Sequence, residues 1–392
     1  MKKGWQTKKL GEICEIERGG SPRPINNFLT NDPSGINWIK IGDTKNVTKY
    51  ITKTEEKIRP EGAKRSRMVY EGDFILSNSM SFGRPYIMKT TGCIHDGWLV
   101  LRQPKVDQDY LYHVLSSDLV FSQFDRLAAG STVRNLNIGL AKTVEIPYPP
   151  LPEQQRIVGI LDETFEGIAT AKANAEKNLQ NARALFESHL QAIFTQRGPE
   201  WVKKKLSEVC AITSTLVDPR KKEFLDLIHV GAGNIESKTG VFVDLKTARE
   251  EGLISGKFLF NESMVLYSKI RPYLMKVARP DFNGLCSADM YPLAPSSNQI
   301  TRDYLFHLLL SKRFTDYAIQ GSARAGMPKV NREHLFEFTV WLPAVAKQKE
   351  LAANLDDLHE ETQRLESIYQ QKLSALEALK KSLLHQAFSG QL

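Results

Sequence analysis

No stretch of about 18 apolar residues occurs in this 392-residue chain, so none is long enough to cross a bilayer as a helix. Met1-Lys2-Lys3 leads straight into polar sequence, so the expectation is a cytoplasmic protein with no secretory leader and no membrane partner. Cysteine is scarce: residues 14, 93, 210 and 286 stand apart, as buried thiols do, and not as disulfide or zinc ligands. The eight histidines show no metal-ligand spacing, and His113 and His307 read as structural residues at matched helix positions. Nucleotide motifs are missing as well. Gly252-Leu253-Ile254-Ser255-Gly256-Lys257-Phe258 sets its glycines one residue too close for a phosphate loop and has no Ser or Thr after the lysine. Val230-Gly231-Ala232-Gly233-Asn234 lacks the third glycine of a dinucleotide turn and reads as a strand end. Tyr148-Pro149-Pro150-Leu151 has leucine where a base-modifying Pro-Pro loop needs a stacking aromatic. Asp43 and Asp73 have no acidic counterparts in the second half, so no repeated carboxylate site marks a nuclease. These absences leave no catalytic, metal or cofactor site in the chain.

What the chain does have is length of helix. Glu153 to Phe194 is proline-free, follows the breakers Pro147-Tyr148-Pro149-Pro150-Leu151-Pro152, and predicts one helix of about 60 Å at about 1.5 Å per residue. Ile157, Leu161, Thr164, Ile168, Ala171, Ala175, Asn178, Ala182, Leu185 and His189 approximate a heptad seam. The pattern returns 194 residues later with Leu351, Leu355, Leu358, Thr362, Leu365, Tyr369, Lys372, Leu376, Leu379 and Leu383.

The rest of the chain repeats too. Trp5 to Cys14 reappears as Trp201 to Cys210, Ile39 to Gly42 as Ile228 to Gly231, Arg84-Pro85-Tyr86 as Arg271-Pro272-Tyr273, and Asp109 to His113 as Asp303 to His307. Four blocks in the same order mark an internal duplication with variable loops. The expected layout is a globular domain at 1–150, a long helix at 151–197, a second domain at 198–343 and a second helix at 344–392. Ile36 to Ile41, Asp73 to Ser77, Leu99 to Leu101 and Val144 to Ile146 read as strands between Gly, Pro, Asn and Asp clusters. Asp109 to Leu127 and Asp303 to Ile319 each read as a single helix, so the fold class is α+β (mixed α/β). Charge follows the same division. Lys plus Arg against Asp plus Glu is 22 to 16 over residues 1–150 and 20 to 16 over 198–343, but 5 to 6 and 6 to 7 over the helices. Basic charge confined to matched domains fits a polyanion partner.

Two basic domains, two long helices and no catalytic apparatus make the chain resemble the specificity subunit of Type I restriction-modification systems, over its whole length. The domain exit Pro149-Pro150-Leu151-Pro152-Glu153-Gln154-Gln155-Arg156-Ile157-Val158, the terminus Leu384 to Leu392 and the start at Trp5 carry the likeness. The second exit, Leu342 to Gln348, departs from the usual form and keeps only Gln348 opposite Gln154. The resemblance implies two target recognition domains, each reading half of a split double-stranded DNA site, held by an antiparallel coiled coil that docks two methyltransferase subunits. Restriction subunits would join through those. S-adenosylmethionine, ATP and Mg would serve the partner chains and no cofactor this one. The rivals are a protein scaffold that uses the basic domains to hold other proteins, and a stand-alone nuclease.

Sequence readout needs donors and acceptors on base edges, while Lys and Arg on phosphates set register. The loop Ser77 to Arg84, with Asn78, Ser81, Arg84 and then Tyr86, and its counterpart with Lys269, Arg271 and Tyr273, fit that need; a structural Arg-Pro-Tyr turn is the other reading. Glycine-led loops after the domain helix supply Arg134 and Asn135 in one half and Arg324 and Lys329 in the other. Lys64, Arg65, Arg67, Arg220, Lys221 and Lys222 form basic runs that would meet phosphates or simply face solvent. Antiparallel pairing with facing numbers that total 540 would set Leu161 on Leu379, Ala171 on Tyr369, Ala175 on Leu365, Asn178 on Thr362, Ala182 on Leu358 and Leu185 on Leu355. That register alternates small with large and gives one polar layer.

Overall fold

The structure, a computed structural model, describes residues 4–78, 83–128, 136–322 and 328–392. It divides the chain into two compact units, one of residues 1–175 with 371–392 and one of residues 176–370. In the first unit a five-stranded sheet runs in the order Glu15–Arg18, Trp98–Arg102, Phe74–Ser77, Pro85–Met88, Tyr50–Ile51. A second runs Leu29–Thr30, Glu56–Ile58, Ile36–Ile39, Gly92–Ile94, Arg67–Val69. Alternation along one strand explains how the sheets stack. Trp98 and Val100 join a core with Ile39, Val69 and Ile94 of the second sheet, whereas Leu99 and Leu101 join helices on the other face. A strand buried on both sides therefore shows no polar alternation, and Trp98 to Leu101 does not.

The second unit repeats this plan. Its sheets run Cys210–Ala211, Met290–Pro295, Val265–Ser268, Val277–Ala278 and Leu216–Val217, Lys257–Phe260, Gly284–Cys286, Ile228–Val230, Lys246–Thr247. Parallel pairs lie among antiparallel ones: Gly92–Ile94 on Ile36–Ile39 in the first unit is matched by Gly284–Cys286 on Ile228–Val230 in the second, and the first unit adds Tyr50–Ile51 on Pro85–Met88. All four cysteines are buried and unpaired, and burial pushes the Cys14 and Cys210 thiols up to about 12.

Each expected domain helix is in fact two. Gln108–Leu115 is followed by Asp118–Ala128, and Arg302–Leu310 by Lys312–Gln320. Serine causes the break: the buried Ser117 and Ser311 hydroxyls donate to Val114 and Leu308 carbonyls, and Ser311 also caps the next helix by accepting from Phe314 N–H. Asp107 and Thr301, not the following acids, cap the first helix of each pair.

The long helices span Leu151–Thr195 and Val345–Ser389. Their attachments explain the repeated glutamine. Gln154 accepts from Asp107 N–H at 2.8 Å and donates to Pro149 O at 2.8 Å; Gln348 accepts from Thr301 N–H at 2.9 Å and donates to Gln299 O and Pro343 O. About two turns further on, Asp162 meets His113 at 2.7 Å and Asp356 meets His307 at 2.9 Å. The matched histidines are thus structural. A cation completes each cluster from a different element: Lys49 reaches Asp109 at 2.7 Å in the first unit, and Arg279 reaches Asp303 and Asp356 in the second. The end of the other helix closes each core, with Phe388 edge-on to Tyr110 and Phe194 tilted on Tyr304.

Within each unit the helix segments run antiparallel, but not in the expected register. Lys172 pairs with Glu377 and Arg183 with Glu366, numbers totalling 549; Phe165 meets Lys380 and Phe186 meets His359, totalling 545. Flanking contacts of 545 and 549 bracket a seam at 547, one heptad from 540. The seam residues shift as well. Leu161, Ala175, Ala182, Leu355 and Thr362 are buried and Ala171, Leu358, Leu365 and Tyr369 half-buried, but Asn178 is exposed, Leu185 is 61% exposed and Leu379 45%. Leu179 and Phe186 take the places expected of Asn178 and Leu185, so the inward spacing runs 175, 179, 182, 186, 190, 193. A straight helix of 3.6 residues per turn drifts from a strict heptad, and four-residue steps absorb the drift. The polar layer does not form; Thr362 donates to Leu358 O of its own helix.

Candidate nucleic-acid interface

Strand Phe74–Ser77 is the middle strand of the first five-stranded sheet, and Asn78 follows at its end. Asn78 there is 1% exposed and fixed on three sides: its N–H donates to Gly97 O, its side-chain amide to Asp96 O at 2.9 Å, and its carbonyl accepts from Leu136 N–H at 2.9 Å. The last bond joins this loop to the far end of the glycine-led loop. In the second unit Lys269 occupies the same position, with N–H on Asp289 O, Nζ on Ala288 O and its carbonyl accepting from Val330 N–H at 2.8 Å. The described ends of the two candidate segments of each half are therefore joined at one end of a sheet, a relation that sequence spacing does not reveal.

Asn137 and Asn331 each cap the short helix after that junction by accepting from Leu140 and His334 N–H, which fixes where the loop ends. Ser81, Arg134, Asn135 and Arg324 lie outside the described residues. Arg84 is exposed beside the junction, and so is Lys329, whose Nζ is 3.4 Å from Asp289. Arg271 is exposed in a left-handed backbone conformation, and its N–H donates to Pro328 O. Tyr273 is 51% exposed.

Two sequence assignments are corrected by burial. Asn78 holds the loop from within, and Tyr86 is 3% exposed with its ring edge-on to Trp98, so neither presents a group to a ligand. The shared Arg-Pro-Tyr is not a shared element. Pro85–Met88 is a strand paired with Phe74–Ser77, whereas Pro272–Leu274 is a 3-10 turn before the corresponding strand Val277–Ala278. Pairing puts Tyr86 opposite Ile75 and Ala278 opposite Leu266, so Ala278 is the true counterpart of Tyr86.

The basic runs are exposed and lie elsewhere, with Arg67 opening the strand Arg67–Val69. Arg65 stacks over Phe28, Arg67 pairs with Glu17 at 3.3 Å, and Arg220 pairs with Asp218 at 2.9 Å, while Lys64, Lys221 and Lys222 face solvent. Their partners are acidic neighbours or rings, as expected of a solvated charge run.

Sequence reading missed the Gly19-Gly20-Ser21-Pro22-Arg23-Pro24 segment, although a glycine and proline cluster before a strand was its signal. Gly19 donates to Trp98 O and Gly20 to Ile94 O; a Cβ on Gly19 would meet His95 O at 2.0 Å. Ser21 Oγ donates to the Asp96 carboxylate at 2.5 Å, and that bond, against the opposing effect of burial, holds Asp96 below the usual carboxylate range. Residues 21–26, Trp38, residues 40–42 and His95 line an open groove of about 910 Å³. In the second unit, burial and then Lys329 lower the Lys269 pKa. Among the described residues no cluster of His, Cys, Asp or Glu could hold a metal ion, and no helix is long and apolar enough to cross a membrane.

Comparison with known proteins agrees with the repeat. Residues 2–180 and 199–375 each match a family described as Type I restriction modification DNA specificity domain. The specificity subunit of the Type I restriction enzyme EcoDI from Escherichia coli is 25% identical over 99% of this chain and 88% of its own length. That of MjaVIII from Methanocaldococcus jannaschii is 22% identical over 99% and 93%. Among solved structures, a chain from work on complex assembly and conformational transition of the type I R-M system superposes with a TM-score of 0.79 at 18% identity, over 100% of this chain and 99% of that one. The HsdS subunit from Thermoanaerobacter tengcongensis gives 0.61 at 20% identity, over 100% and 98%.

Proposed function

Because the chain belongs to the Type I restriction-modification DNA specificity family and carries its domain twice, we propose that each recognition domain reads one half of a bipartite duplex site. The protein serves DNA sequence recognition within a Type I complex as a non-catalytic subunit, with DNA and methyltransferase as its partners. The finer reading divides the chain into recognition domains at 1–150 and 198–343 and spacer helices at 151–197 and 344–392. Two methyltransferase subunits dock on it, and restriction subunits join through them, all in the cytoplasm. S-adenosylmethionine, ATP and Mg belong to those other chains.

The observation that carries this reading is the junction of two loops in each unit, Asn78 O to Leu136 N–H and Lys269 O to Val330 N–H. A shared scaffold holds these loops alike, yet their side chains differ, which is the arrangement that two unlike half-sites need. Arg84, Arg271 and Lys329 at the rim supply positive charge for phosphates, and the sequence adds Arg134 and Arg324 shortly before Leu136 and Val330. The test is duplex binding by the full chain with its methyltransferase partner across a salt titration. Specific binding should weaken steeply with salt, by roughly 10³-fold or more between 50 and 200 mM if about six phosphates are neutralised. Affinity that ignores both salt and sequence contradicts the reading.

A further inference from the structure

From its position we infer that Asp96 is a specificity-determining residue of the first unit, accepting a hydrogen bond from the exocyclic amino group of a cytosine in the DNA major groove. The inference rests on the DNA-reading role of the loop junction and names the chemistry of one contact there. Asp96 sits in the turn between strands Gly92–Ile94 and Trp98–Arg102, directly beneath that junction, because its carbonyl accepts from the Asn78 side chain. Arg18 Nε donates to the same carbonyl at 3.1 Å. The backbone of residue 96 is thus held from two sides.

Its carboxylate is not buried. The side chain is 43% exposed, with Ser21 Oγ at 2.5 Å and His95 Nδ1 at 3.9 Å from Oδ1, and Arg23 Nη2 at 3.5 Å from Oδ2. Ser21 Oγ also accepts from Asp96 N–H at 3.3 Å. A carboxylate offers about four acceptor positions, so two close partners leave capacity for an incoming N–H. Cytosine N4 is the base-edge group that carboxylates accept from in the major groove. Arg23, 82% exposed, is placed to meet the neighbouring phosphate and offset the charge of the acid against DNA.

The second unit carries the opposite chemistry at the same place. The turn Ser287 to Asp289 closes with Met290 N–H on Ser287 O, as Trp98 N–H closes on His95 O, so Ala288 stands where Asp96 does. No carboxylate leaves that residue. The neighbouring Asp289 is instead bracketed by Lys269 at 3.7 Å and Lys329 at 3.4 Å, which makes the position a donor site. The two halves should therefore differ in the sense of their hydrogen bonds: an amino-bearing base opposite Asp96 and an acceptor base, guanine, opposite Lys329.

The experiment selects duplexes from a pool with both half-sites randomised, using the full chain co-purified with its methyltransferase, as wild type, Asp96→Asn, Ser21→Ala and Arg84→Ala. Asp96→Asn keeps shape and can still bond Ser21, so folding is preserved. Expected is a cytosine preference at one position of one half-site that falls about tenfold or more in Asp96→Asn, with every other position unchanged, and that weakens less in Ser21→Ala. An unchanged profile in Asp96→Asn overturns the inference, as does a loss of affinity across all positions. Arg84→Ala separates this from the wider reading: if it changes neither affinity nor salt dependence, the loop junction itself is not the DNA surface.

Discussion

Gln348 is fully buried and makes three hydrogen bonds, so cutting it to alanine strands a backbone N–H and two carbonyls at the start of the second long helix. Each stranded buried group costs on the order of 1–3 kcal/mol, and chemical denaturation of Gln348→Ala should show a loss of at least about 2 kcal/mol. Gln154→Ala, with two bonds, should lose less. A midpoint unchanged in both would mean that the exits do not depend on these side chains. His307 gives a pH signature. Burial holds its imidazole below the ordinary 6.5, against the pull of Asp356. Burial also works against ionisation of Asp356, but bonds from His307 and Arg279 more than offset it and hold that carboxyl low. The unfolded chain therefore binds protons more readily, so stability is full above about pH 6.5 and declines below it, by at most about 1.4 kcal/mol per pH unit for one proton. Unfolding curves from pH 7.5 to 5.5 should flatten in His307→Gln. An equal slope in the variant assigns the pH dependence to other groups.

At the scale of elements, the long helices and the doubled plan were legible because proline-free runs and repeated blocks are properties of the sequence itself. Register was not. A seam written in strict heptads places Leu185 inward, yet a helix of 3.6 residues per turn rotates it outward and brings Phe186 in. Nor was the equivalence of strands legible where a chance likeness intervened: Arg84-Pro85-Tyr86 and Arg271-Pro272-Tyr273 share letters, but one is a strand and the other a turn. The candidate site divides in the same way. Loops rich in donors could be named from composition, while the burial of Asn78 and the closeness of Asp96 depend on contacts between segments far apart in the chain. The corrected register is open to cross-linking. Cysteines replacing Ala182 and Leu365, whose numbers total 547, should oxidise to a disulfide readily, and Ala182 with Leu358 should not. The reverse result restores the earlier register.

For the molecule as a whole, the proposed function rests on two domains that would read separately and on helices whose length would fix the unread spacer between half-sites. One heptad inserted into both helices adds about 10 Å. That equals roughly three base pairs at about 3.4 Å each, so the spacer should grow by three while both half-sites stay the same. A spacer of unchanged length would separate the helices from that role. The most direct measurement is methylome sequencing of cells that carry this chain with its methyltransferase, beside cells in which only the second-unit loop residues Lys269, Arg271 and Lys329 are replaced by alanine. The account predicts one split motif with a fixed spacer in the first strain, and in the second a motif relaxed or lost in one half-site alone. A continuous motif, or one altered in both halves by changes confined to one unit, would contradict it.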